Sequence, residues 1–129
     1  PEGYVEGPFV FRRKNSYYFM WSEGSWGNDT YKVAYAMADK VTGPYKRIGT
    51  ILESDKNIAT GAGHNSVINT PNTDQWYMVY HRRPIANKGR DHRVICVDKL
   101  DFNQDGTIKQ VKMTFEGVKS NNLTSTSSY

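Results

Sequence analysis

The sequence predicts an all-β chain built from two consecutive four-stranded antiparallel units, each of the kind that forms one blade of a β-propeller. Three observations carry that expectation. Short apolar runs with period-two alternation, bounded by Gly, Pro, Asn and Asp, recur along the chain, and helical periodicity is nearly absent. The run Tyr17-Tyr18-Phe19-Met20-Trp21-Ser22 is matched about sixty residues later by Trp76-Tyr77-Met78-Val79-Tyr80-His81, so the pattern restarts. Each half holds four strand signals separated by turns.

In the first unit, about residues 5–55, Phe9 to Arg13 and Tyr17 to Ser22 read as a hairpin around Lys14-Asn15. Tyr31 to Met37 alternates and reads as a third strand. Gly43-Pro44 is a turn, and Tyr45 to Ile48, or through Leu52, is the fourth strand. In the second unit, about residues 61–115, the strands are Asn65 to Asn69, Trp76 to His81, Val94 to Leu100 and Ile108 to Met113. Turns at 70–74 and 103–106 separate them. Asp101 to Gly106 fits half of an EF-hand loop, but position twelve is Lys112 where a bidentate Glu is needed, so a hairpin turn is expected. Residues 119–129 are rich in Ser, Thr and Asn and read as linker or disordered tail. Repeat units bury their apolar faces only against neighbours, and two blades close no ring. The chain is therefore expected to be the last two blades of a longer protein. Its start at Pro1, without an initiator Met, fits that reading.

Composition narrows the function. The formal net charge is only +4 and is scattered, with Arg12-Arg13-Lys14 at a hairpin tip and Arg82-Arg83 after a strand. That reads as solvated surface, with no nucleic-acid partner expected. No apolar run is long enough to span a membrane, and no signal-peptide pattern is present. Cys96 is the only cysteine, so no internal disulfide forms; it is expected to be a small core residue. Nine Tyr and three Trp are more telling, because amphipathic rings suit sugar faces as well as sheet packing.

Two motifs open hairpins. Glu6-Gly7-Pro8 places a carboxylate at the mouth of the first, with Pro8 stiffening the approach. Thr60-Gly61-Ala62-Gly63-His64 leads into the second, with His64 after two glycines in a turn. Glycoside cleavage needs a protonated carboxyl to serve the leaving oxygen and a second carboxylate on the opposite face. Glu6 is the candidate acid; a surface loop Glu is the competing reading. Arg83 and Arg93 are candidates for sugar hydroxyls, since a guanidinium offers several donors in a fixed fork. Trp26, between glycines in the loop Ser22 to Asp29, is a candidate subsite wall.

Taken in order, these residues resemble glycoside hydrolase family 43, five-bladed propeller enzymes acting on arabinose- and xylose-containing polysaccharides. The similarity rests on Glu6-Gly7-Pro8, Gly61-Ala62-Gly63-His64, Tyr80-His81-Arg82-Arg83-Pro84, and Arg93 leading into Val94 to Leu100. It implies an inverting α-L-arabinofuranosidase or β-xylosidase with Glu6 as general acid. It implies His64 near a calcium at the propeller axis, acting through water because imidazole is a poor ligand for a hard cation. The family also uses two aspartates from earlier blades, one as general base and one tuning the acid, and nothing here matches their motifs. The expected partners are an oligo- or polysaccharide substrate and the N-terminal blades, without which the chain is expected to be inactive. A secreted or periplasmic setting is favoured, with a cytoplasmic one left open. The alternative is a non-catalytic carbohydrate-binding β domain using Trp26 and the tyrosines.

Overall fold

A computed structural model describes residues 1–89 and 91–120, and among them it contains seven strands and no helix. The first sheet is β1 (Glu6–Arg13), β2 (Ser16–Glu23), β3 (Lys32–Ala38) and β4 (Lys46–Leu52), antiparallel and adjacent in chain order. The second is β5 (Ala59–Asn69), β6 (Trp76–Pro84) and β7 (Val94–Lys99), with the same topology. The all-β expectation of two successive antiparallel sheets therefore holds. No described segment is a helix long and apolar enough to cross a membrane. From residue 121 the expected tail lies outside the described residues.

Local chemistry sets the strand ends. Arg13 pairs with Ser16, leaving Lys14-Asn15 as a two-residue turn, and Lys14 takes the positive φ (53°) that such turns require. At the other end of β1, Glu6 pairs with Ser22 and Phe9 with Met20, so Gly7 and Pro8 together face one residue, Trp21. This is a β-bulge. Pro8 has no N–H to give a ladder, and Gly7 adopts φ 67°, which a side chain would resist.

Alternation along β2 divides its side chains between two environments. Tyr18, Met20 and Ser22 face the second sheet: Tyr18 and Met20 join the main core, and Ser22 meets His64. Phe19, Trp21 and Glu23 lie on the other face. There Trp21 is fully buried, donates from Nε1 to Glu23 Oε1 (2.9 Å), and lies under the Arg47 guanidinium. The Arg47 hydrogen bonds, with help from Trp21, hold the Glu23 carboxyl below the usual carboxylate range. Between the sheets, Met20, Val33, Leu52, Ala62 and Met78 are sealed from solvent. An aromatic group closes one end: Phe11 stacks on Tyr18 at 4.7 Å, and Trp76 and Phe102 complete it. Arg13 lies over Phe102 and bonds both oxygens of Asp74 (2.8 and 2.5 Å), tying the two hairpin tips together.

The segment from Ile108 to Met113 does not form the expected fourth strand of the second unit. Its apolar residues Ile108, Val111 and Met113 are buried as expected, but its backbone has no single neighbour. The Ile108 N–H donates to the Tyr35 hydroxyl (3.0 Å), Lys109 N–H to Asp101 O (2.9 Å), and Val111 N–H to Ile51 O of β4 (2.7 Å). The segment is a strap across both sheets. Tyr18 adds to it by donating to Gly106 O (2.7 Å), and Asp98 accepts from Thr114 Oγ1 (2.6 Å). Residues 103–107 do form the expected turn, closed by Asn103 N–H to Thr107 O (2.8 Å). Cys96 is half-buried rather than a full core residue.

Candidate active site

The bulge at Gly7-Pro8 sets Glu6 at the mouth of β1, beside the middle of β5. Contact there is close: a Cβ on Gly7 would stand 3.2 Å from His64 Cα. His64 lies within β5, not in a free turn as expected. It sits at an irregularity between the Gly63–His81 and Ser66–Val79 pairs, with φ 51°. Its backbone N–H donates to Ser22 Oγ (2.8 Å), and its Nδ1 lies 3.8 Å from Glu6 Oε1. Both side chains remain open to solvent, Glu6 at 40% and His64 at 54%.

Behind them is Tyr31, which is fully buried and donates its hydroxyl to Glu6 Oε1 (2.7 Å). Its ring stacks nearly parallel on His81, with centroids 5.8 Å apart. It also lies on Gly63 so closely that a Cβ there would be 2.2 Å from Tyr31 Cε1. The second glycine of Gly61-Ala62-Gly63-His64 is therefore the floor of a tyrosine slot. Burial above all, with Glu6 adding to it, pushes the Tyr31 hydroxyl pKa well up. Burial, then the charges of Arg93 and His64, lowers the pKa of His81 and favours its neutral form.

The remaining candidates join this cluster. Arg93 acts electrostatically on both Tyr31 and His81 and lies over the Trp26 ring at 5.4 Å. Arg83 lies 5.9 Å over the same ring. Its Nη1 donates to Gly27 O and its Nη2 to Gly89 O (3.4 Å), so these donors pin the Trp26 loop to the loop after β6. Gly61, at φ 60°, lets that loop approach: a Cβ there would be 2.6 Å from Trp26 O. Among the described residues the Arg93 guanidinium has no hydrogen-bond acceptor. Glu6, His64, Trp26, Arg83 and Arg93 thus form one connected patch. Sequence reasoning missed Tyr31 and Ser22, which it counted only as strand residues. The one available signal was the glycine pair before His64, since glycine often marks a close approach of the backbone. A concavity between Trp76, Asp98 and Gly117 lies elsewhere and holds none of these residues.

The half-exposed Glu6 carboxylate thus stands at the end of the first sheet beside a histidine, with an arginine and a tryptophan in the same patch. The family model for glycosyl hydrolases family 43 matches residues 2–108, and the chain belongs to that family. It is 46% identical over 124 residues to a β-D-galactofuranosidase of Aspergillus niger, covering 95% of this chain and 36% of that protein. It is 30% identical to a β-xylosidase of Xylanibacter ruminicola, covering 87% of this chain and 32% of that protein. The solved α-L-arabinofuranosidase of Clostridium thermocellum superposes with a TM-score of 0.68 at 30% identity, covering 92% of this chain and 39% of that one. The chain thus spans about a third of the length of these two curated relatives.

Proposed function

We propose that these residues are the last two blades of a five-bladed propeller that hydrolyses arabinose- or xylose-containing oligo- and polysaccharides with inversion. Glu6 is the general acid. It protonates the leaving glycosidic oxygen while a carboxylate outside this chain activates water on the opposite face of the sugar. The observation that carries the reading is the asymmetry of Glu6: Oε1 is held by Tyr31, no described residue hydrogen-bonds Oε2, and the side chain is 40% exposed. Arg93 offers free donors to sugar hydroxyls, and Trp26 walls the subsite. Arg83 contributes by holding the Trp26 loop in place. Without the second carboxylate the chain alone is inactive.

The relative at 46% identity favours a sharper version of the same reading. β-D-Galactofuranose has the ring configuration of α-L-arabinofuranose with one further carbon outside the ring, so a furanose site can take either. Aryl α-L-arabinofuranoside, β-D-galactofuranoside and β-D-xylopyranoside compared side by side rank the three.

Calcium fits this chain only at a distance. Among the described residues no cluster of three or more His, Cys, Asp or Glu could hold a metal, whereas calcium takes six to eight oxygens. The half-exposed His64 ring suits a bond to a water of an axial calcium. Such an ion would supply a fixed positive charge beside the site.

The test of Glu6 uses the full-length protein that carries this segment. Glu6→Gln should lower kcat on natural glycosides by about 10² to 10⁴. Aryl glycosides with very acidic leaving groups need little protonation and should lose much less. Equal losses on both would remove Glu6 from the role.

A further inference from the structure

Tyr31 precedes β3 and has no exposed surface. Its ring lies on the Gly63 backbone and is stacked against His81. Its hydroxyl acts with Ser22, whose oxygen is already engaged. The His64 backbone N–H can only donate, and it points at Ser22 Oγ (2.8 Å). Ser22 is fully buried, and with its oxygen engaged as an acceptor its own proton is left to act on the Tyr31 hydroxyl. Tyr31 then gives its proton to Glu6 Oε1 (2.7 Å).

We propose that Tyr31 is the positioning residue of the general acid: it occupies Oε1 as a donor and so confines the acidic proton of Glu6 to Oε2, the oxygen that no described residue hydrogen-bonds. The inference rests on the reading of Glu6 given above. In the reaction the Oε2–H bond breaks, its electron pair stays on the carboxylate, and a new O–H bond forms on the departing alcohol oxygen. Tyr31 keeps its proton throughout. Its bond to Oε1 strengthens as negative charge develops on Glu6, because hydrogen bonds to an ionised acceptor are the stronger kind. The contact therefore favours the transition state over the ground state. The elevated pKa of the buried hydroxyl keeps it a donor across the working range. Gly63 belongs to the same device, since only a glycine leaves room for the ring.

The experiment compares wild type, Tyr31→Phe, Ser22→Ala and Glu6→Gln in the full-length protein. The substrates are an oligosaccharide and a dinitrophenyl glycoside of the same sugar. Loss of one charge-assisted hydrogen bond in Tyr31→Phe should lower kcat on the oligosaccharide by about 10- to 100-fold, with KM changed by less than about twofold. On the dinitrophenyl glycoside, where protonation matters little, the loss should stay under about threefold. Equal losses on the two substrates, or none on the oligosaccharide, overturn the proposal. Should Tyr31→Phe fail to fold, Ser22→Ala leaves every ring in place. It should show the same leaving-group pattern at about 2- to 10-fold, and equal losses there overturn the proposal as well. Glu6→Gln separates the two levels. If its losses are equal on both substrates, the general-acid reading falls and the role of Tyr31 with it. If it discriminates between them while Tyr31→Phe or Ser22→Ala does not, only the positioning role falls.

Discussion

Gly63→Ala is the sharpest test of how the site is built. The added methyl carbon would stand 2.2 Å from Tyr31 Cε1, 2.7 Å from Cδ1 and 3.0 Å from Cζ. Ordinary carbon contacts begin near 3.5 Å, so the ring must withdraw by more than about 1 Å. It is fully buried with His81 stacked against it, so room is scarce. A shift of that size carries the 2.7 Å bond to Glu6 out toward the roughly 3.5 Å limit of hydrogen bonding. Overpacking costs roughly 1–3 kcal/mol, and a buried hydroxyl left without its partner a further ~1–3 kcal/mol. The expected loss is therefore roughly 2–6 kcal/mol, read as a lower denaturant midpoint at unchanged slope. Gly49→Ala is the internal control. It lies in β4, a methyl group added there would meet nothing within 4 Å, and it should stay within about 0.5 kcal/mol of wild type. If Gly63→Ala proves as stable as Gly49→Ala, the tyrosine slot is not where the geometry places it.

Asp74 is held at a pKa of about 2 by the Arg13 hydrogen bonds first and Trp76 second, against an ordinary 3.8. Its contribution is present above the ordinary value and is lost as pH falls toward 2. The Tm gap between wild type and Asp74→Asn should accordingly close between pH 5 and pH 2; a constant gap would refute the assignment. Arg93→Ala should raise KM by about tenfold or more through the loss of charged donors, with the Trp26 loop intact. Arg83→Ala should free that loop, seen as faster proteolytic cleavage between residues 24 and 30, and the reverse pattern would exchange the two roles. His64→Ala in the full-length protein should lower activity and calcium-dependent thermal stability together. Wild-type activity with an unchanged response to chelator would reduce His64 to a structural histidine.

Much of this was legible in the chain because strands announce themselves locally. Phe9 to Ser22 carries its own turn and alternation, and Glu6-Gly7-Pro8 marks its start. The glycine pair before His64 signalled an unusual backbone. Tyr31 was not legible, because period-two patterning says that a tyrosine is inward-facing and not which carboxylate its hydroxyl will meet 25 residues away. The strap misled for a related reason. Val111 and Met113 alternate like strand residues, and both are buried. A strand also needs one neighbour to accept successive bonds, and these amides turn to Tyr35, Asp101 and Ile51 instead. Burial can be read from residue type, whereas backbone pairing depends on residues that come together only in the fold. The same limit applies to Arg83, whose sequence context gave no sign that its donors would bind the carbonyls of Gly27 and Gly89.

The strap has a kinetic consequence. Its ties to Tyr18 and Tyr35 span 88 and 73 residues, and Arg82 and Asp98 hold its other end at Thr114. Its partners come from both sheets, so it docks only after both exist. Contacts made that late lie beyond the folding barrier and act on the return journey. Thr114→Val should therefore leave the refolding arm of a chevron unchanged, while raising the unfolding rate by nearly the whole of its stability loss. On this account the strap works as a latch: it sets how long the native state lasts, and has little influence on how quickly it is reached.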